Sequence, residues 1–270
     1  MHLSIRHETL YRYTQPQAYS IEQLHLVPRT EPQQQVLSWK IAMPGNGAPY
    51  VDAYGNHSHM MTLNEPHDTV RIVVEGLVAT TPLRNGRLEA VDSLSPLIFT
   101  VPTRLTQPSP LLADFAARCL PPAGMRVDTA AAMDLAAHIF GAVEYRSGAT
   151  DVFSTAGEAI VLGAGVCQDH AHIYLACCHA RGVPARYVSG YIDPESTGHA
   201  ASHAWVDVWV EDGDHAGWVS IDVTHNRLMT DAYCRLAIGR DYESAAPVRG
   251  MRRGGGEETM RVEATIVPVQ

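Results

Sequence analysis

Cys167, His203 and Asp222 are the three residues whose types and order could build a thiol nucleophile with an oriented base. Cys167 stands in Gly165-Val166-Cys167-Gln168-Asp169, where a glycine-punctuated loop meets a long helical stretch. A thiol attacks a carbonyl only as the thiolate. The positive end of a helix dipole favours that anion, and the unpaired amides there could hold a developing oxyanion. Gly163 and Gly165 leave little side-chain bulk around the approach. A lone cysteine is more often a small buried hydrophobe. The histidine and the acid behind it are what turn the reading towards catalysis.

Residues 202–210 alternate as a strand does, with Ala204, Val206, Val208 and Val210 on one face. His203, Trp205, Asp207 and Trp209 take the other face. Trp218, Ser220 and Asp222 share a face of the next extended run. If Val210 and Trp218 flank a hairpin loop, opposed residues sum to about 428. Asp222 then falls within about three positions of His203 across the pair, within reach of the imidazole. A carboxylate there fixes the ring tautomer and supports its positive form. Trp205 could shield the contact from water. Taken singly, His203 reads as a partly exposed strand histidine and Asp222 as a cap for the Thr224-His225-Asn226 turn.

The other polar clusters are weaker. His170 and His172 are two apart on a helix and point in different directions. His199 and His203 are four apart, but 198–201 reads as loop. No metal site and no cofactor are expected. The five cysteines, Cys119, Cys167, Cys177, Cys178 and Cys234, are odd in number and show no C-x-x-C, which argues against a disulfide framework or zinc knuckle. Cys177 and Cys178 lie roughly two to three helical turns beyond Cys167 and read as core.

These residues need elements to hold them. Residues 1–95 read as an antiparallel β domain, sandwich-like, with extended runs at 3–13, 37–43, 60–63 and 69–79 and no site constellation. Prolines at 82, 96, 102, 108 and 110 punctuate a linker-like stretch. Helices are expected over 111–120, 130–143, from a Thr155/Glu158 capping box to Gly163, and over 166–181, closed by Gly182. Strands follow at 185–192, 202–210 and 218–223. A flexible turn at 252–257 precedes a last strand, 260–267. The division is therefore 1–95 and 96–270, with an overall α+β class.

With 46% hydrophobic residues the chain is an ordinary globular protein. The net charge of −9 argues against a nucleic-acid partner. No apolar run approaches the roughly 20 residues of a membrane span, and the start, Met1 to His7, lacks the apolar core of an export signal. The cytoplasm is the expected compartment, with no membrane partner. A β domain with exposed surface is compatible with a homo-oligomer, although no coiled coil or interface pattern specifies one.

Residues 165–172, then Gly182-Val183-Pro184-Ala185-Arg186-Tyr187, then Ser202-His203-Ala204-Trp205-Val206, then Asp222-Val223-Thr224-His225-Asn226, resemble the transglutaminase-like core of bacterial proteins. Gly239-Arg240-Asp241-Tyr242 and Pro247-Val248-Arg249-Gly250 resemble the group that also carries an N-terminal β domain. The resemblance implies a papain-like α+β core after that domain. It implies Cys167 as nucleophile, His203 as base and then acid, and Asp222 as the orienting group. Two positions depart from the family. Val223 stands where proline is common, and His170 where an aromatic is common, altering the pocket wall. No tryptophan lies between Trp39 and Trp205 to donate to an oxyanion, so Tyr145 is the side-chain candidate.

The implied reaction is acyl transfer on a peptide or protein amide through a thioester. Hydrolysis, by a protease or amidase, is favoured because no calcium loop or amine-acceptor site is visible. The rival readings are a true transglutaminase or deamidase, a catalytically inactive binding or scaffold module, and a metal hydrolase.

Overall fold

The fold is seen in a computed structural model of the chain, which describes residues 1–89, 94–194, 202–213 and 215–269. One strand organises its first part. β1 (His2–Leu24) runs on well past the expected end at Tyr13. Along 2–13 it lies between β5 (His67–Thr80) and β14 (Glu258–Val269), antiparallel to both. Along 17–24 it lies between β4 (His57–Leu63) and β13 (Val248–Gly254). β2 (Gln34–Ala42) pairs with β5, and β3 (Asn46–Val51) with β4. The result is one curled antiparallel sheet of seven strands. Both halves feed one apolar cluster that includes Leu3, Ile5, Leu24, Met61, Ile72 and Ile266, which is the sandwich-like packing that period-two burial predicts.

Two expectations change here. The last two strands pair with β1, so residues 248–269 belong to the first sheet and not with the rest of 96–270. The physical reason is that β1 offers a long unpaired edge that these strands satisfy. Arg252, Arg253 and Gly254, expected in a flexible turn, are in β13. The proline-rich segment is also not a free linker. Phe99 within it is buried, 5.6 Å from the Trp218 ring, and Leu88 N–H donates to the Trp218 carbonyl.

The second part places helices on a sheet. α1 (Pro110–Cys119), α2 (Thr129–Ala142), α3 (Ala156–Leu162) and α4 (Cys167–Ala180) come close to their expected bounds. Thr155 and Glu158 form the capping box of α3, and Gly163 ends that helix at φ 66°. The short strands β6 (Glu144–Tyr145) and β7 (Ala164–Gly165) pair in parallel on either side of α3. β8 (Ala185–Ile192), β9 (Ser202–Asp212), β10 (His215–Asp222), β11 (Arg227–Leu228) and β12 (Tyr233–Gly239) form a sheet ordered β11-β10-β9-β8-β12. α5 (Tyr242–Ala245) follows.

The faces of β9 separate as period two requires. Ala204, Val206, Val208 and Val210 join the helical core. On the opposite face, Asp207 accepts from Arg186 Nε at 2.8 Å and from Arg235 Nη2 at 2.7 Å, all three side chains fully buried. Arg235 Nε reaches Glu31 at 2.8 Å, which ties this sheet to the loop after β1.

Candidate active site

Cys167 is the first residue of α4, half-buried, with Val166 as the N-cap. Asp169 accepts the Val166 N–H at 2.7 Å and the Thr150 hydroxyl at 2.6 Å, which closes the helix start. Gly165 serves this closure more than the approach to the thiol. A Cβ there would stand 2.6 Å from Asp169 Oδ2. The amides of Cys167 and Gln168 have no carbonyl four residues back inside the helix, so they remain available as donors.

His203 Nε2 lies 2.9 Å from Asp222 Oδ2. The same ring hydrogen-bonds with Cys167, and Nδ1 is the nitrogen left to face the thiol. Asp222 Oδ2 also accepts from His225 Nδ1 and from the Tyr233 hydroxyl, each at 2.6 Å. Its Oδ1 accepts the His225 N–H at 3.2 Å, so Asp222 both caps the turn and meets His203. Burial alone would push the imidazole pKa down, but Asp222, and then Cys167, hold it above its ordinary value. Burial would likewise raise the Asp222 pKa, yet His203 and His225 hold it well below the usual carboxylate range. Both shifts favour an imidazolium beside a carboxylate.

The register that permits this differs by one residue from the sum of 428. Trp218 lies opposite Trp209, and Ile221 opposite Val206. One step on, Asp222 opposes Trp205 and takes the face of His203. A sum of 428 would have turned Asp222 to the other face. Trp205 is fully buried, its ring 6.0 Å from that of His203 and near-parallel to it. Its indole N–H donates to Ser220 Oγ at 3.0 Å. Gly190 makes room for it, since a Cβ at that position would stand 2.6 Å from the Trp205 ring.

His203, Asp222 and His225 bring three donor atoms within 4.8 Å of one another, as do Cys119, Asp134 and His138 on the surface. In the first group Asp222 Oδ2 is hydrogen-bonded to both imidazoles. His170 and His172 do not converge. His170 bonds Thr224 Oγ1 and the Val143 carbonyl, whereas His172 Nε2 accepts the Tyr242 N–H. His199 lies outside the described residues.

Comparison with known proteins places the chain in a family. The model of the bacterial transglutaminase-like N-terminal region matches residues 3–79, and that of the transglutaminase-like superfamily matches 116–223. An uncharacterized protein of Mycobacterium tuberculosis is 30% identical, covering 98% of this chain and 92% of its own. The chain belongs to the transglutaminase-like superfamily. An uncharacterized protein of Mycobacterium leprae is 28% identical, with 98% of each chain covered. The fold is shared with the crystal structure of a putative cysteine protease from Cytophaga hutchinsonii, at a TM-score of 0.76 and 23% identity, covering 100% of this chain and 92% of that one.

In this transglutaminase-like chain the cavity beside Cys167 measures about 210 Å³. Cys167, Gln168, His203, Tyr187 and Tyr242 line one side. His7, Thr9 and Tyr11 of β1 and Met260 and Val262 of β14 line the other. The N-terminal strands were expected to carry no part of the site; they form its wall. One sequence signal could have found this. His7 and Thr9 interrupt the otherwise apolar face of Leu3, Ile5 and Tyr11. His7 is held by Tyr191 and Thr9, each at 2.8 Å, and burial pushes its pKa down to about 4.

His170 is not on the cavity wall where its departure was expected to act. It is buried behind the wall, its ring 6.3 Å from that of Tyr145. Tyr145 is tied to Gly165 through the β6–β7 pair and stands within electrostatic reach of Cys167, outside the cavity lining. No described helix is long and apolar enough to cross a membrane.

Proposed function

We propose that this protein is a cysteine hydrolase acting on amide bonds of peptides or proteins. The observation that carries the reading is the buried relay at one end of the cavity. Asp222 holds His203 by Nε2, which leaves Nδ1 for Cys167. In this reaction the thiol proton already resides on His203, and the Cys167 thiolate beside the imidazolium attacks the amide carbonyl carbon. The tetrahedral oxyanion is received by the amides at the start of α4, with Tyr145 as the side-chain donor. His203 Nδ1–H then protonates the leaving amine, the C–N bond breaks and a thioester remains. Water attacks the thioester as His203 removes its proton. The carboxylic acid leaves and the thiol is restored.

Water is the proposed acceptor because no Asp or Glu is among the described residues lining the cavity to bind a lysine-like side chain before its neutral amine could attack. The proposed compartment is the cytoplasm, a reducing environment suited to five unpaired cysteines.

Site-resolved iodoacetamide alkylation against pH tests the relay. Cys167 should react fast below neutral pH and slow to ordinary thiol behaviour in His203→Ala. An inert Cys167, or one that reacts like the other four cysteines in both proteins, would overturn the reading and favour a scaffold module.

A further inference from the structure

The strands of the curled sheet do more than close the cavity. Tyr11 lies opposite Met260 in the ladder and Thr9 opposite Val262, so these side chains share one face. Ile5 and Ile266, paired further along that face, are buried core. Met260 and Val262 are 58% and 43% exposed. The apolar face therefore continues out of the core and into the space beside Cys167. Pro247 and Val248 extend it. Within it, the Thr9 hydroxyl is held at 2.8 Å from His7 Nε2 as a fixed polar point.

The chemistry of this wall restricts what can occupy it. Among the described residues, no Asp, Glu, Lys or Arg lines the cavity. Against the β1–β14 wall a charged side chain would lose hydration with no Asp, Glu, Lys or Arg among the described residues of that wall to receive it. A neutral apolar side chain would shed water from both surfaces, an effect worth on the order of tenfold or more in rate. The volume of about 210 Å³ is below the ~300–1,000 Å³ of pockets that enclose whole small ligands. It suits one large side chain, with the rest of the substrate outside.

We infer that the β1–β14 wall is a specificity subsite for one neutral, apolar side chain flanking the amide that Cys167 attacks. The substrate class is then a peptide segment with a leucine-, methionine- or phenylalanine-like group beside the reacting bond. This rests on the proposed thiol chemistry, because the reacting end of the cavity is Cys167.

The test needs no known substrate. Cys167 alkylation is followed by mass spectrometry with N-(2-phenylethyl)iodoacetamide and N-(2-aminoethyl)iodoacetamide. Each rate is divided by that reagent's rate with free cysteine. The apolar reagent should win on the order of tenfold in the wild type. That ratio should fall severalfold in Met260→Glu, where the cationic reagent gains. Met260→Ser keeps the test readable if Met260→Glu does not fold. Equal rates, a preference for the cation, or a ratio unchanged in the folded variants would overturn the subsite. Failure of the thiol chemistry shows separately, as a Cys167 no faster with plain iodoacetamide than the other cysteines. The ratio of the two reagents would still read the wall.

Discussion

The phenol of Tyr233 donates at 2.6 Å to Asp222 Oδ2, the oxygen that also meets His203. Arg227 Nε donates in turn to the Tyr233 oxygen at 2.9 Å. Tyr233→Phe removes one donor from a buried carboxylate and leaves His203 in place. A hydrogen bond to a charged group is worth about 1.5–3 kcal/mol. Urea unfolding should show a loss of that size, while Cys167 keeps its His203-dependent alkylation. Loss of the fast alkylation as well would mean that Tyr233, and not Asp222 alone, sets the imidazole.

Asp222→Asn separates charge from shape. The amide can still occupy the site, but it no longer supports a positive imidazole. Turnover of an amide substrate should fall on the order of 10⁴-fold, the scale seen when the orienting carboxylate of such a triad becomes an amide. Alkylation of Cys167 below pH about 6.5, the ordinary histidine value, should slow to that of a free thiol. Full alkylation in this variant would remove Asp222 from the mechanism.

Much of this arrangement was legible in the residues. The capping box at Thr155 and Glu158 and the glycine after α4 are local signals, and the helices end close to them. The alternation of 202–210 assigned both faces of β9 because its period survives any partner. Register was not legible to one residue, since the β9–β10 turn decides it and the side chains only require that Asp222 share the face of His203. The cavity wall was hidden for a related reason. Nothing local tells Met260 and Val262 that their strand pairs with β1, more than two hundred residues earlier. The buried set of Arg186, Asp207, Arg235 and Glu31 was hidden too, because charges in strands read as surface until tertiary packing encloses them.

Stability should peak near neutral pH. His7, His170, His172 and His179 are all pushed down to about 4, first by burial. The unfolded chain therefore binds more protons than the native one as pH falls from 6.5 towards 4, and stability falls with it. His203 has the opposite sign. Its pKa is raised to about 10, with burial outweighed by Asp222 and Cys167. Its contribution is complete below 6.5 and is lost as pH rises through that raised value. Asp222, pulled down, contributes above its ordinary 3.8 and loses that contribution only as pH falls through its lower native value. Urea unfolding across this range should give a dome. In His203→Gln the alkaline limb should flatten while the acid limb stays. An unchanged alkaline limb would show that the native imidazole is not held protonated.

Asp207 is where loss of one charge should cost most. Its Oδ2 accepts from Arg186 Nε and Arg235 Nη2, and its Oδ1 accepts from Arg235 Nη1 at 2.9 Å. Burial would raise its pKa, but Arg235 and Arg186 outweigh burial and keep it ionised. Asp207→Asn removes the charge that the buried Arg186 and Arg235 guanidinium groups share. Breaking a buried ion pair from one side costs about 3–5 kcal/mol. Asp207 lies two residues from Trp205 on the same face of β9, so the damage should reach the cover over His203 and Asp222. Urea unfolding should show the loss, and Cys167 alkylation should slow with it. A variant as stable as the wild type would mean that the arginines find other partners, and the cluster would then not be what fixes the sheet behind the site.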